Sequence, residues 1–221
     1  MSVGGSLIVP DAVDTHFLAA LRDLVTAKVN EGFSFYIITG GGKLARAWRD
    51  AAKAAEPSVS SEQLDWIGIA ATRANAELVR SLFPSFGVPP VILDPSEPVA
   101  GDARILVAGG FKPGNSSDLA AVRAAQATGA TRLVNLSNID YVYTADPRTN
   151  PDAKKIERMA WADFRKLIPG EWDPGLSSPF DPIAAKEAEA MGLQVAVING
   201  AHLERFADYL SGESFTGTVI A

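Results

Sequence analysis

Short runs of β-branched and apolar residues alternate along the chain with longer segments in which apolar residues recur every three or four positions. The short runs predict strands over Leu7–Val9, Phe33–Thr39, Val91–Leu93, Ile105–Ala108, Arg132–Leu136 and Gln194–Ile198. The longer segments predict helices over Asp14–Asn30, Lys43–Ala55, Ser60–Phe83, Ser117–Thr128, Trp161–Leu167, Ile183–Met191 and Ala201–Gly212. Strands separated by helices read as βαβ units, so the expected class is α/β, a mainly parallel sheet between two helical layers. No repeat of roughly 20 to 50 residues and no low-complexity segment interrupts this order. The Pro-rich segments Pro84–Pro98 and Pro169–Pro182 read as surface connections or lids rather than linkers, which predicts a single domain over residues 1–221.

Composition narrows the function. The chain has 221 residues, of which 47% are apolar and 21% charged, enough for a sizeable core and unlike a disordered chain. A net charge of −6 without a long basic run argues against a nucleic-acid partner, although a few local donors still suffice for a small anion. With no cysteine, disulfides, thiolate chemistry and Cys-based metal sites are excluded. The opening MSVGGSLIVPD lacks the basic start of a secretory leader, and no apolar run approaches the roughly 20 residues of a membrane span. A cytoplasmic protein without a membrane partner is expected.

Ligands of open α/β sheets sit beyond the carboxyl ends of the strands, so glycine clusters that follow strands weigh most. Gly4-Gly5-Ser6 lies near the start; adjacent glycines admit an anion to backbone N–H groups, and they equally make a simple turn. Gly40-Gly41-Gly42 follows FSFYIIT and opens the helix KLARAWRDAA, so an anion there meets a helix N-terminus and, one turn on, Arg46. Three glycines exceed what a strand–helix turn needs. The cluster is neither a Walker P-loop nor a GxGxxG fingerprint, which argues against a P-loop NTPase or a Rossmann dehydrogenase. The third loop runs Gly109-Gly110-Phe111-Lys112-Pro113-Gly114-Asn115-Ser116-Ser117-Asp118 and is rich in backbone donors and hydroxyls. Lys112 is its one cation, and Ser117 or Asp118 is placed to cap the helix that follows. Three such loops after three strands point jointly to a phosphorylated ligand.

Other polar residues leave two readings open. In NIDYVYTADP, Tyr143 is placed to cover a base and Asp146 to accept from a ribose or base; a packed tyrosine and an Asx-turn aspartate account for the same residues. Asp65 heads a helical stretch with Gly68, Ala71 and Asn75 on one small-residue face, which fits a ligand or a tightly packed neighbour equally. Asp181-Pro182 is fully explained as a helix N-cap followed by proline at the first helical position. His16 and His202 form no HxxxH or triad pattern, no metal-ligating side chains are predicted, and Met159, Met191 and the four tryptophans read as packing.

In this order the stretches GGSLIVP (4–10), TGGGKLAR (39–46), DWIGIAATRANA (65–76), GGFKPGNSSD (109–118), SNIDYVYTADPR (137–148) and FDPIAAKEAEAMGLQVAVING (180–200) resemble the amino acid kinase superfamily. The 137–148 stretch is similar to that superfamily's nucleotide-binding segment TNVDGVYTADP. Together with the GGF-PG loop and the D-x-x-G-x-x-A-x-R-x-N pattern it resembles the uridylate (UMP) kinases, the archaeal type above all. The resemblance implies a three-layer αβα sandwich, transfer of the ATP γ-phosphate to UMP, Mg²⁺, and a homo-oligomer, usually a hexamer. It implies an acceptor-binding N-terminal part and an ATP-binding part from about residue 130.

Carried over by position, Gly4, Gly5 and Ser6 would cradle ATP phosphates, with Gly42 and Arg46 at the transferring group. Gly40 and Gly41 would face the UMP phosphate and Asp65 the UMP ribose, while Phe111, Lys112, Pro113, Gly114, Asn115, Ser116 and Ser117 would wrap the uracil and phosphate. Ser137, Asn138, Tyr143 and Asp146 would contact ATP, and Asp181 would orient the cationic groups. Lys112, Arg46 and Asp181 are thus the expected catalytic residues.

Two positions depart from the superfamily pattern. Only Met1, Ser2 and Val3 precede the first glycines, where many members carry a lysine; Lys112 or Lys43 would supply that charge. Tyr141 replaces the usual glycine of the DGVY segment. Other outcomes are a kinase of an amino-acid carboxylate, carbamate or isopentenyl phosphate, or a nucleotide-binding relative without catalysis. Isopentenyl phosphate kinases are expected to use an active-site histidine, and neither histidine here lies in a glycine loop.

Overall fold

Two apolar faces on each central strand determine the architecture. In the computed structural model, which describes residues 1–168 and 178–221, seven strands form one sheet. From one edge they are β3 (Ile105–Ala108), β2 (Phe35–Thr39), β1 (Ser2–Val3), β4 (Arg132–Ser137), β8 (Gln194–Asn199), β9 (Thr218–Ile220) and β7 (Arg158–Met159). All neighbours pair parallel except β8 with β9. A separate two-stranded antiparallel ribbon joins β5 (Val142–Tyr143) to β6 (Lys155–Ile156).

Successive strand residues point to opposite faces. Phe35, Ile37, Val134, Leu136, Ala196 and Ile198 meet α2 (Thr15–Asn30), α4 (Ser61–Arg80) and α8 (Leu203–Ser211) in one core. Ile38, Ala108, Leu133, Val195 and Val197 meet α5 (Ser117–Thr128), α6 (Trp161–Leu167) and α7 (Pro182–Ala190) in the other. The expected three-layer αβα sandwich results. Strands covered on both sides carry continuous apolar runs, the pattern that parallel sheets need.

Local chemistry sets the helix ends. Asp14 accepts from Phe17 N at 2.9 Å, and Ser60 with Gln63 forms a capping box on α4. Ser116 accepts from Leu119 N at 3.1 Å, so Ser116, and neither of the expected Ser117 and Asp118, caps α5. Asp181 caps α7 through Ala184 N at 2.7 Å, with Pro182 at the first position, as expected.

Several expected elements are corrected. Leu7–Val9 is no strand: α1, a single turn over Gly5–Ile8, buries Leu7 and Ile8, and the first strand is Ser2–Val3, ahead of the glycines. A short buried apolar run does not distinguish strand from helix by pattern alone. Val91–Leu93 contributes only an isolated bridge, Ile92 to Ala108. The helix expected to reach Phe83 ends at Arg80, and a 3₁₀ turn at Pro84–Phe86 follows. The strands β5, β6, β7 and β9 escaped the periodicity because they have two or three residues each. Of the expected Pro169–Pro182 connection, residues 169–177 lie outside the described residues.

Trp161 packs in the core, whereas Trp48 on α3 (Gly42–Ala55) and Trp66 on α4 remain 44% and 46% exposed, contrary to their reading as packing. Phe206, 1% exposed, meets the Phe35 ring edge-on at 6.4 Å. Phe206→Ala is expected to lower the unfolding free energy by about 3–5 kcal/mol, read as an earlier denaturant midpoint with an unchanged slope.

Candidate active site

Because β1, β2, β3, β4 and β8 run parallel, their carboxyl ends deliver every glycine loop to one edge of the sheet. Val3 pairs with both Thr39 and Leu136, Ile38 with Ala108, and Ser137 with Asn199. Gly4, Gly40, Gly109, Asn138 and Gly200 therefore leave the sheet close to one level. The first two loops touch backbone to backbone. A Cβ on Gly5 would lie 2.1 Å from Gly42 N, and one on Gly42, at φ +59°, would lie 2.3 Å from the Gly5 carbonyl carbon. No side chain fits between them.

Helix α4 supports these loops. Asn75, almost fully buried, donates to Gly40 O at 2.8 Å. Thr39 Oγ1 donates to Thr72 O at 2.8 Å, and Thr72 Oγ1 accepts from Gly110 N at 2.7 Å. Arg73 Nε donates to Gly110 O at 3.2 Å. A Cβ on Gly109 would lie 2.8 Å from Thr72 Oγ1. The small-residue face of α4 is thus a packing face for the second and third glycine loops. At its head, Asp65 Oδ2 accepts from Gly114 N at 2.8 Å, which ties α4 to the third loop. Thr72 was not singled out in the sequence, although its spacing of four from Gly68 and three from Asn75 puts it on that face, and Arg73 entered only as a member of the D-x-x-G-x-x-A-x-R-x-N pattern.

Two carboxylates meet beside β1. Asp181 is buried, and desolvation raises its pKa despite the Ala184 N–H that caps against it. Its backbone N–H donates to Asp118 Oδ2 at 3.1 Å, and Ser2 Oγ donates to Asp118 Oδ1 at 3.5 Å. Burial, helped by the charge of Asp181, pushes Asp118 from its ordinary 3.8 up to about 7. In the sequence Asp118 is legible only as a capping residue, because its partners lie 116 and 63 positions away.

The expected cations are dispersed. Lys112, 63% exposed at its side chain, lies 3.8 Å from Asp94 and over the Phe111 ring. Lys43 pairs with Asp11. Arg46 is exposed on the first turns of α3 and unpaired among the described residues. His202 contacts Glu204, and no group of three or more His, Asp or Glu able to hold a metal occurs among the described residues.

Beyond β4, Ser137, Asn138, Tyr141, Tyr143 and Asp146 line a cavity of about 640 Å³. Asp146 accepts from Arg148 N at 2.9 Å and pairs with its guanidinium at 2.8 Å, so the Asx-turn reading of Asp146 holds. Tyr143 is half-buried. Asp140 accepts from Asn199 at 3.1 Å and from Arg205, which anchors this segment to β8 and α8.

Comparison with known proteins matches this arrangement. The sequence pattern of the amino acid kinase family fits residues 1–199. The chain belongs to the amino acid kinase family. It is 33% identical over 220 residues to a uridylate kinase of Pyrococcus abyssi, covering 98% of this chain and 96% of that one. It is likewise 33% identical over 221 residues to a uridylate kinase of Thermococcus onnurineus, covering 99% and 96%. The crystal structure of uridylate kinase from Archaeoglobus fulgidus superposes with a TM-score of 0.85 at 31% identity, covering 100% of this chain and 98% of that one. A UMP kinase from Bacillus anthracis shares the fold at a TM-score of 0.75 and 18% identity, covering 99% and 93%. No helix among the described residues of this amino acid kinase is long and apolar enough to cross a membrane.

Gly5→Ala is expected to force the first two loops apart and to weaken nucleotide binding by more than about tenfold, read by calorimetry, because neighbouring backbone cannot yield as a side chain would. For Asp118 the folded pKa lies above the unfolded one, so the native state holds the extra proton and stability falls as pH rises from about 4 to about 7. Asp118→Asn keeps an acceptor for Asp181 N and removes the titration. Melting curves from pH 4 to 8.5 should show the gap between variant and wild type shifting in favour of the variant across that window.

Proposed function

We propose that this protein transfers the γ-phosphoryl group of ATP to UMP, giving UDP and ADP. The observation that carries this reading is the backbone contact between Gly5 and Gly42. It joins the loop expected at the donor phosphates to the loop expected at the acceptor phosphate. In-line transfer needs donor and acceptor phosphates side by side, with N–H donors aimed at the charge between them. Two glycine loops in contact at the starts of α1 and α3 support both conditions; Gly4 N and Gly40 N already donate to Leu136 O and Val3 O at 2.9 Å, so the donors would lie further along each loop.

In the proposed reaction a UMP phosphate oxygen attacks the γ-phosphorus, forming a new O–P bond as the bond to the β-phosphate oxygen breaks and ADP leaves. The nucleophile is already anionic, so no general base is required. Gly4, Gly5 and Ser6 hold the ATP phosphates, Gly40 and Gly41 the UMP phosphate, and Gly42 with Arg46 the group in transfer. Asp65 and the loop Phe111–Ser117 take the uridine. Support comes from the Asp65–Gly114 hydrogen bond, which already joins these two parts. Ser137, Asn138, Tyr143 and Asp146 take ATP in the cavity beyond β4, which divides the domain into an acceptor half and, from about residue 130, an ATP half.

Arg46 is free to act, being unpaired among the described residues; Lys112 would exchange its loose contact with Asp94 for phosphate. Asp181 and Asp118 position this edge of the site. A Mg²⁺ would arrive with the nucleotide phosphates, and Asp118 and Asp181 beside β1 are the carboxylates that would hold it. When bound, it neutralises charge on the β- and γ-phosphate oxygens. A cytoplasmic homo-oligomer, hexameric by resemblance, completes the reading; exposed Trp48 and Trp66 on adjacent helices support a subunit contact.

A coupled assay of ADP release with ATP, Mg²⁺ and a panel of acceptors (UMP, CMP, AMP, carbamate, isopentenyl phosphate) tests this. UMP should be the preferred acceptor, and Asp65→Ala should raise the KM for UMP by about tenfold or more while leaving that for ATP within about twofold. Tight ATP binding without turnover of any nucleoside monophosphate would sink the assignment.

A further inference from the structure

Tyr141 stands where the nucleotide-binding segment that this stretch resembles carries a glycine. Its backbone does not call for glycine, since no non-glycine residue among those described has a positive φ. The phenol ring is therefore an unstrained addition to the wall of the cavity.

Residues on either side determine where that ring stands. Asp140 is held by Asn199 and Arg205. Val142 is buried, pairs with Ile156, and donates its N–H to Thr218 Oγ1 at 2.8 Å. Side chains alternate along an extended segment, so Tyr141 and Tyr143 share the face opposite Val142, and both line the cavity of about 640 Å³. Their rings meet edge to face, with centroids 6.4 Å apart and planes at 85°. Lys155, paired with Tyr143 in the ribbon, places Nζ 4.9 Å from the Tyr141 ring centre. Glu157 accepts from the same ammonium at 2.8 Å.

We propose that Tyr141, held in a corner with Tyr143 and Lys155, stacks on the base of the donor nucleotide and supplies binding that a glycine at this position cannot. The identity of the donor as a nucleoside triphosphate rests on the kinase reading above. Two half-buried rings at right angles offer a flat heterocycle a face on one and an edge on the other, the two arrangements that aromatic rings prefer. The ammonium over Tyr141 and its tie to Glu157 hold the ring's plane before any ligand arrives. Every base has a π-face, so this contact strengthens binding without choosing among purines.

Tyr141→Ala and Tyr141→Phe, compared with the wild-type chain, test this. Calorimetry reads ATP and GTP binding without acceptor, turnover reads the KM values of ATP, GTP and UMP, and melting temperatures check folding. Loss of one stacked base corresponds to roughly five- to a hundredfold in affinity. The alanine variant should bind ATP and GTP about tenfold or more weakly, to similar extents, with the phenylalanine variant within about twofold of wild type and the KM for UMP unmoved. Unchanged nucleotide binding in Tyr141→Ala, an equal loss in Tyr141→Phe, or a KM for UMP that rises in step would overturn the proposal.

Because calorimetry needs no turnover, the two readings fail separately. A wild type that binds ATP but leaves UMP unphosphorylated removes the kinase reading, and the alanine variant still decides the stacking. An active enzyme whose alanine variant binds ATP normally removes the stacking alone. A wild type that binds neither nucleotide removes the stacking outright.

Discussion

Where β1 and β2 leave the sheet, the Gly5 and Gly42 backbones approach so closely that only hydrogen fits at either Cα. Much of the surrounding structure serves that approach. Gly40, between Thr39 and the contact, has its carbonyl held by a buried asparagine on α4. Thr72 on the same helix takes the N–H of the third loop, and Asp65 at its head takes another. A single helix thus sets the spacing of two glycine loops, and the parallel register of β1, β2 and β4 sets the position of the first.

Such an edge handles negative charge without a dense set of lysines. The chain carries −6 overall, and beside β1 it places the buried Asp181 next to the half-buried Asp118. Backbone N–H groups and helix N-termini provide fixed partial positive charge that needs no counter-ion and no side-chain ordering. Burial keeps Asp118 protonated further toward neutral pH than an exposed aspartate, which lowers the negative charge at this edge. In the proposed transfer these two features offset the missing lysine ahead of the first glycines. The exposed Arg46, and Lys112 by leaving Asp94, add mobile charge at the rim.

The opposite half of the edge is built differently. Beyond β4 the wall is a short two-stranded ribbon pinned by Val142 to Thr218, with Asp140 beside it tied to Arg205 and Asn199. It carries the rings of Tyr141 and Tyr143 with Lys155 beside them, and no glycine loop.

Much of this was legible in the chain itself. Apolar runs after and before amphipathic segments determined the α/β class, and the position of glycine clusters after strands marked the ligand edge. Both signals are local and periodic, so they need no knowledge of partners. The cap at Asp181 was readable for the same reason. Tertiary structure alone decided the rest. Whether Leu7-Ile8 was strand or helix depended on what buried it, and strands of two residues exist only because their neighbours supply the pairing. Asp118 looks like an ordinary first-turn aspartate until β1 and the head of α7 close over it. The small face of α4 fitted a ligand as well as a packed neighbour until the loops lay on it. Desolvation and close backbone approach depend on contacts between residues far apart in the chain, and no local pattern encodes them.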